Sequence, residues 1–419
     1  MTTGCHKFSF RRYQFWLNEW ESGTGFFSTE KKEEAKVKQP RIILAVLLVL
    51  VLSGFGGQAV FAGEYRIGCA FAVTGSASWL GEPQRNTVEM IAEQVNKNGG
   101  INGNKLVLYI EDTQGDNTRA VNSIKKLIKN YKVSAIIGPS RSGTAMAVIP
   151  IVQKEEVPLI SCASAEVITN PVADRKWVFK TAQNDSDAIR NIYEYFNKKN
   201  IKKAGIITGT TGFGAAGREL MKSMAPEYGI EIAADETYNP SDTDMTAQLI
   251  SIKNSGAQAV INWSIVPAQS IVPQNMKQLK LDIPLFQSHG FGNIKYVEAA
   301  GEAAEGIIFP GSRMLAVDSV AENHPQKKAL MGYRADYEAK YKENVSTFGS
   351  HAFDAMHIII NALEKVGDDR AKLRDYIETA KFDGTSGVFN YSPENHSGLD
   401  KTAFEMLTVK DGKFIVLEQ

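Results

Sequence analysis

The chain has 419 residues, 43% hydrophobic and 22% charged, an ordinary globular balance with room for two or three domains. Lys plus Arg and Asp plus Glu number 47 each, so the formal net charge is zero and nothing points to nucleic acid, for which a basic surface is expected. Three cysteines, Cys5, Cys69 and Cys162, are too few for a disulfide framework and lack zinc-ligand spacing; Cys69 and Cys162 fall in apolar runs and read as buried free thiols.

In chain order, the first feature is a leader. Lys36, Lys38 and Arg41 precede the apolar run IILAVLLVLVL, 42–52, which has the length of a secretory core and is short for a spanning helix. Val60 and Ala62 occupy the minus-three and minus-one positions of a cleavage site. The mature chain is therefore expected to begin at Gly63 and to be exported to the periplasm; an uncleaved anchor running on to Ala62 is the alternative. Residues 1–39 read as sequence upstream of the leader, not as a domain. Cys69 lies too far along to carry a lipid anchor.

Apolar strands then alternate with amphipathic helices. Strands are predicted at 65–73, 106–111, 134–137 and 158–162, with helices at 83–98, 117–130 and 144–155 between them. In the first helix Val88, Ile91, Ala92 and Val95 share one face, and Gly99-Gly100 stops it. Such a βαβ series predicts an α/β fold with a parallel sheet and helices on both faces. The pattern repeats with helices at 185–200 and 216–228 and strands at 204–208, 231–235, 259–263, 284–287 and 306–309. A helix at 353–366 and a hairpin of 404–409 and 414–417 about Asp411-Gly412 finish the chain. Two α/β halves of similar size are expected. Ligands of open α/β sheets bind beyond the carboxyl ends of the strands. The candidate segments are 74–80, 140–144, 163–165, 209–213, 264–266 and 288–291.

The segment IITGTTGFGAAGREL, 206–220, holds Gly212, Gly214 and Gly217 in the glycine pattern of a dinucleotide site, with Asp235 and Glu236 roughly twenty residues on. The fingerprint ends its strand directly on the first glycine, whereas Gly209-Thr210-Thr211 intervenes here. The motif also falls in the second half, and an exported protein meets little nicotinamide cofactor. It reads as a turn that caps a helix and presents Phe213, and no cofactor is expected.

Other chemistries fail on spacing. Gly138-Pro139-Ser140-Arg141-Ser142 lacks the second glycine of a nucleophile elbow. The histidines His6, His289, His324, His351, His357 and His396 show no metal-ligand spacing. Ser142-Gly143-Thr144 opens a helix after a strand; its hydroxyls and free backbone N–H groups suit a carboxylate, and Ser142 also suits an N-cap. Ala163-Ser164-Ala165 places small residues after another strand, which suits either ligand approach or a plain turn. Trp79, Phe213, Trp263 and Phe291 fall in strand-tip loops and are expected to make a partly apolar cleft.

The segments VTGSASWLGEPQRNTVEMIAEQVNKNGGINGNKL, IIGPSRSGTAMAVIPIVQKEEVPLIS and TGTTGFGAAGREL carry a family resemblance, to which PLFQSHGFGN and EAAEGIIF add. Over residues about 64–419 the chain resembles the branched-chain amino-acid (Leu/Ile/Val) binding family of ABC-importer solute-binding proteins. The resemblance implies a type I periplasmic-binding fold of two α/β lobes, 64–182 plus 313–382 and 183–312 plus 383–419, joined by three crossover strands and closing like a hinge. It implies a monomer that holds a small solute, docks on a membrane permease and performs no chemistry. A sensor module of the same fold needs a signalling domain, and none is expected after Gln419.

Carried over residue by residue, Ser142 matches the serine that binds the ligand carboxylate. Ala163, Ser164 and Ala165 match a small-small-Thr segment, in which Ala163 acts through its backbone and Ala165 stands where a hydroxyl is expected. Phe213 matches an aromatic of the second lobe. Trp79 and Leu80 lie where an aromatic of the first lobe packs on the ligand, and Trp263 and Ile265 fall near another aromatic position. His289 departs from the pattern, because the amino-acid binders carry an acid there that pairs the ligand ammonium. A neutral imidazole gives no opposite charge, and a protonated one repels ammonium. The change suits a carboxylate without an amine, such as an aromatic or 2-oxo acid. Asp185 or Glu166 nearby keeps the amino-acid reading open.

Overall fold

In the computed structural model, which describes residues 61–418, five strands form the first sheet: β1 (Glu64–Phe71), β2 (Lys105–Asp112), β3 (Ala135–Ile137), β4 (Leu159–Ser161) and β5 (Val178–Lys180). All are parallel, in the order β2-β1-β3-β4-β5. The leader run and Cys5 lie outside the described residues. Successive strand side chains point to opposite faces. On β1, Ile67, Cys69 and Phe71 join one core, while Ala70 joins another on the opposite face. The first core packs under α1 (Ser78–Lys97), and the second under α2 (Asn117–Lys129) and α3 (Ser142–Glu155). Gly68 makes room for α2, since a Cβ there would lie 3.1 Å from Leu127 Cδ1. Cys69 and Cys162 are buried and free, as read from the sequence.

The second half runs α4 (Asp185–Lys198), β6 (Lys203–Gly209), α5 (Gly212–Met224), β7 (Glu231–Tyr238), α6 (Thr246–Asn254), β8 (Ala259–Trp263), α7 (Ile271–Gln278), β9 (Leu285–Gln287), α8 (Ile294–Ala300) and β10 (Ile308–Gly311). The chain then returns to the first half with α9 (Lys327–Tyr341), α10 (Thr347–Val366), α11 (Arg370–Glu378) and the short pair β11 (Lys381–Asp383) and β12 (Val388–Asn390). It ends in the second sheet with the hairpin β13 (Glu405–Lys410) and β14 (Lys413–Val416). That sheet has the order β14-β13-β10-β9-β8-β6-β7, parallel except for the hairpin. Asp411 and Gly412 both have positive φ (50° and 70°), the geometry of a two-residue primed turn that matches strand twist.

The polypeptide thus passes between the two halves three times. The third passage lies at Ala403–Phe404: Tyr391, Leu399 and Ala403 pack in the first core and Phe404 in the core of the second half. The family resemblance implies an earlier division, at 382/383. Hydrogen bonds link the passages. Gln183 Nε2 donates to Ser386 O at 2.9 Å, and Arg313 donates to Thr402 O at 2.7 Å and Glu405 at 2.6 Å.

Several elements begin earlier than their periodicity suggests. Pro83 marked the expected start of α1, yet the helix runs back to Ser78. Proline has no N–H for the carbonyl four residues behind it. Here that carbonyl, Trp79 O, accepts from Asn293 Nδ2 at 3.0 Å. Helix α5 starts at Gly212, not near 216, because Thr211 caps it by accepting the Gly214 N–H. Helix α10 starts at Thr347, capped by Ser346.

Candidate functional site

The carboxyl ends of the two sheets face one another across a cleft of about 290 Å³. Ser142, Gly143 and Thr144 line it from the first half, and Thr211, Phe213 and Ile265 from the second. The loop after β3 is fastened from behind. Buried Ser140 donates to Gln84 Oε1 at 2.5 Å and accepts the Ala72 N–H at 3.0 Å. Arg141, not Ser142, is the N-cap residue of α3, and its side chain makes no cap bond. The N–H groups of Ser142, Gly143 and Thr144 precede the first intrahelical bond, from Ala145 N to Arg141 O at 2.9 Å.

Hydrogen bonds around the opening of α3 decide which of its donors stay free. Ser142 Oγ accepts the Ala165 N–H at 3.2 Å, which leaves the hydroxyl proton to donate. Thr144 Oγ1 donates to Arg141 O at 2.8 Å, so its proton is committed inside the loop. Ala163 is buried, with its N–H on Ser161 Oγ at 3.2 Å. Ser164 is half-buried, and its carbonyl accepts from Lys180 Nζ at 2.9 Å.

Lys180 ends β5 fully buried. Its ammonium donates to the carbonyls of Ser164, Ala182 and Gln183 at 2.9, 2.9 and 3.3 Å. Asp185, the first residue of α4, is also fully buried. Neither carboxylate oxygen has a hydrogen-bond partner, and Oδ1 stands 3.5 Å from His289 Nε2. Burial pushes the Asp185 carboxyl up and the Lys180 ammonium down, and each charge opposes the shift of the other. Burial, with the Lys180 charge, pushes His289 down to about 3. His289 is therefore neutral, and its contact with Asp185 is not an ion pair.

Rings enclose the imidazole. Phe213 lies edge-on to it at 5.4 Å, Trp263 at 5.6 Å and Phe404 at 5.5 Å, and Phe213 stacks on Trp263 at 5.6 Å with 22° between planes. Of the four aromatics expected to make the cleft, Phe213 lines it, in the first turn of α5. Trp263 is buried behind Phe213, at the end of β8. Phe291 is core, stacked on Tyr296. Trp79 is half-buried in α1 with its edge on Tyr296 at 5.2 Å, and Leu80 is buried in the core of the second half. Ile265 is held through its carbonyl, which accepts from Tyr296 Oη at 2.7 Å. Sequence reasoning missed Lys180 and Phe404 as neighbours of the site, and it placed Arg141 in the candidate segment 140–144 without giving it a role. Arg141 had a signal, a charged side chain directly before Ser142 in a strand-tip loop.

The glycine motif serves packing. A Cβ at 214 would lie 1.8 Å from Gly209 O, and one at 217 would lie 2.1 Å from Trp263 Nε1. A Cβ at 212 would lie 2.8 Å from Gly143 N, across the cleft. The three glycines therefore allow α5 to sit against β6 and β8 and to meet α3.

Comparison with known proteins agrees with this architecture. A periplasmic binding protein family model matches residues 64–413. The Leu-, Ile-, Val-, Thr- and Ala-binding protein of Pseudomonas aeruginosa is 27% identical over 363 residues, 85% of this chain and 93% of that protein. An extracellular ligand-binding receptor from Rhodopseudomonas palustris HaA2 superposes with a TM-score of 0.80 at 26% identity, covering 84% of this chain and 99% of that one. LivJ, the substrate-binding protein of a branched-chain amino-acid transporter from Streptococcus pneumoniae, in complex with isoleucine, gives 0.74 at 26% identity, covering 85% and 100%. With its two α/β lobes and interlobe cleft, this chain belongs to the periplasmic binding protein family and is a solute-binding protein of the ABC-importer kind, related to the Leu/Ile/Val binders.

Proposed function

We propose that the chain binds a small apolar α-amino acid in the interlobe cleft and delivers it, as a monomer, to an ABC permease. The observation that carries this reading is Asp185, a fully buried acid with no hydrogen bond to either oxygen, 3.5 Å from the neutral His289 and favoured in its charged form by Lys180 and the Ser164 side chain. A buried carboxylate left without a partner is costly, and a ligand ammonium supplies both a charge and donors. Asp185 thus takes the part of the acid that is missing at position 289. The ligand carboxylate falls to Ser142 and the first N–H groups of α3, and the apolar part to Phe213 and Ile265, with Trp263 behind Phe213. Amino-acid binding by the Pseudomonas aeruginosa and Streptococcus pneumoniae relatives supports the same class.

A second reading, an aromatic or 2-oxo acid, is favoured by the uncharged His289 within three aromatic rings. Titration calorimetry with leucine and its 2-oxo analogue separates the two. Asp185→Asn is expected to weaken leucine roughly tenfold or more, the worth of a charge-assisted bond, and to spare the 2-oxo acid. Tighter binding of the 2-oxo acid to the wild type would reject the amino-acid reading in favour of the second.

A further inference from the structure

Arg141 stands between two buried serines and lines the interlobe cleft beside Ser142 and Gly143. Its side chain lies across the turn at Gly115, where a Cβ would fall 2.8 Å from Nη1, and Nη1 donates to Gly115 O at 3.2 Å. No carboxylate among the described residues forms a salt bridge with it; burial pushes its pKa down, and the group that opposes the push is the Tyr296 phenol. Asp116 lines the same cleft, but its carboxylate caps α2 by accepting the Arg119 N–H at 2.8 Å. A guanidinium offers five donors in a planar fork that matches a carboxylate, and here one neutral carbonyl uses one of them.

The other groups of the seat are accounted for. Lys180 directs its ammonium to three backbone carbonyls. Thr144 commits its proton to Arg141 O, and Ala165 commits its N–H to Ser142 and has no hydroxyl. Arg141 is the cleft-lining cation with donors to spare, and it directly precedes the serine of the seat.

We propose that Arg141 contacts the solute and pairs its carboxylate through both arms of the guanidinium fork, contributing at this cleft what a hydroxyl at position 165 would otherwise contribute. This rests on the carboxylate-solute reading above, whether or not the solute bears an amine.

The test compares acids with their amides, which lack the charge and keep the shape. Titration calorimetry with leucine and leucinamide, and with benzoate and benzamide, is run on the wild type, Arg141→Gln and Arg141→Lys. The wild type is expected to prefer the acid of the pair it binds. Arg141→Gln is expected to weaken the acid roughly tenfold or more and to leave the amide unchanged. Equal weakening of acid and amide, or no weakening, would overturn the assignment and leave the carboxylate-solute reading standing. Equal binding of acid and amide by the wild type, or binding of neither pair, would overturn that reading and the role of Arg141 with it. Should Arg141→Gln lose its unfolding transition, Arg141→Lys decides. It keeps the charge without the fork, so an unchanged acid-to-amide preference rejects bidentate pairing.

Discussion

His289 shows how a single position can mislead when its neighbours are unknown. Read alone, a histidine in place of an acid argues against an ammonium-bearing ligand. In the structure Asp185 sits beside it, carried there by the start of α4. The ring itself is held neutral, as is that of His351, which burial and the Lys180 charge also push down to about 3. The sign follows from linkage. As pH falls below about 6.5 the unfolded chain takes up protons that the folded rings refuse, so each ring's contribution is complete above that pH and is lost towards about 3. Asp354, raised by burial to about 6, acts in the opposite sense, so the rings themselves are the readout and not overall stability. Imidazole NMR across pH 5–8 is expected to show His289 and His351 untitrated. A midpoint near 6.5 for either would contradict their neutral burial.

At the scale of elements, the glycines of α5 separate packing from closure. Gly217→Ala places a methyl 2.1 Å from the fully buried Trp263 indole, which has nowhere to move. Overpacking of this kind costs about 1–3 kcal/mol. The denaturant midpoint is expected to fall accordingly, and an unchanged midpoint would mean that the helix relaxes away. Gly212→Ala instead meets Gly143 of the other half, 2.8 Å from its nitrogen. Separation of the halves relieves that contact, so solute affinity is expected to fall while the unliganded midpoint holds. Full affinity in Gly212→Ala would show that closure does not need this approach.

The same elements show what was legible in the sequence. The strands were, because buried parallel strands are continuous apolar runs, as at 259–263. The starts of α1 and α5 were not, because they depend on distant partners or local caps: Asn293 for the carbonyl freed by Pro83, and Thr211 for the glycine turn. Helix α9 was missed although Leu330, Tyr333 and Tyr337 form its buried stripe, since its charged faces obscure the period. Of the site, Ser142 and Phe213 were legible from their place after strands. Asp185 stood beside Glu166 as a candidate acid near His289, but which of the two meets the ring was not legible, since the contact joins separate elements of the second half.

For the whole molecule, two lobes linked by three passages confine motion to opening and closing about those passages. The interlobe contacts, Asn293 on Trp79 and Gly212 against Gly143, belong to the arrangement with the lobes together. The proposed solute, bridging Ser142 of one lobe and Phe213 of the other, would stabilise that arrangement by its preference for it. The dinucleotide reading fails at this scale too, since Gly212 opens a helix end pressed against the other lobe.

The most direct test is thermal unfolding of the chain against leucine, isoleucine, valine, benzoate, phenylpyruvate and NADH. A ligand at a hundred times its dissociation constant adds about 2.7 kcal/mol of stability. At least one carboxylate solute is expected to raise the midpoint, and Ser142→Ala to reduce that rise. A rise with NADH alone, or a solute-induced rise indifferent to Ser142, would contradict a carboxylate seat at the mouth of α3.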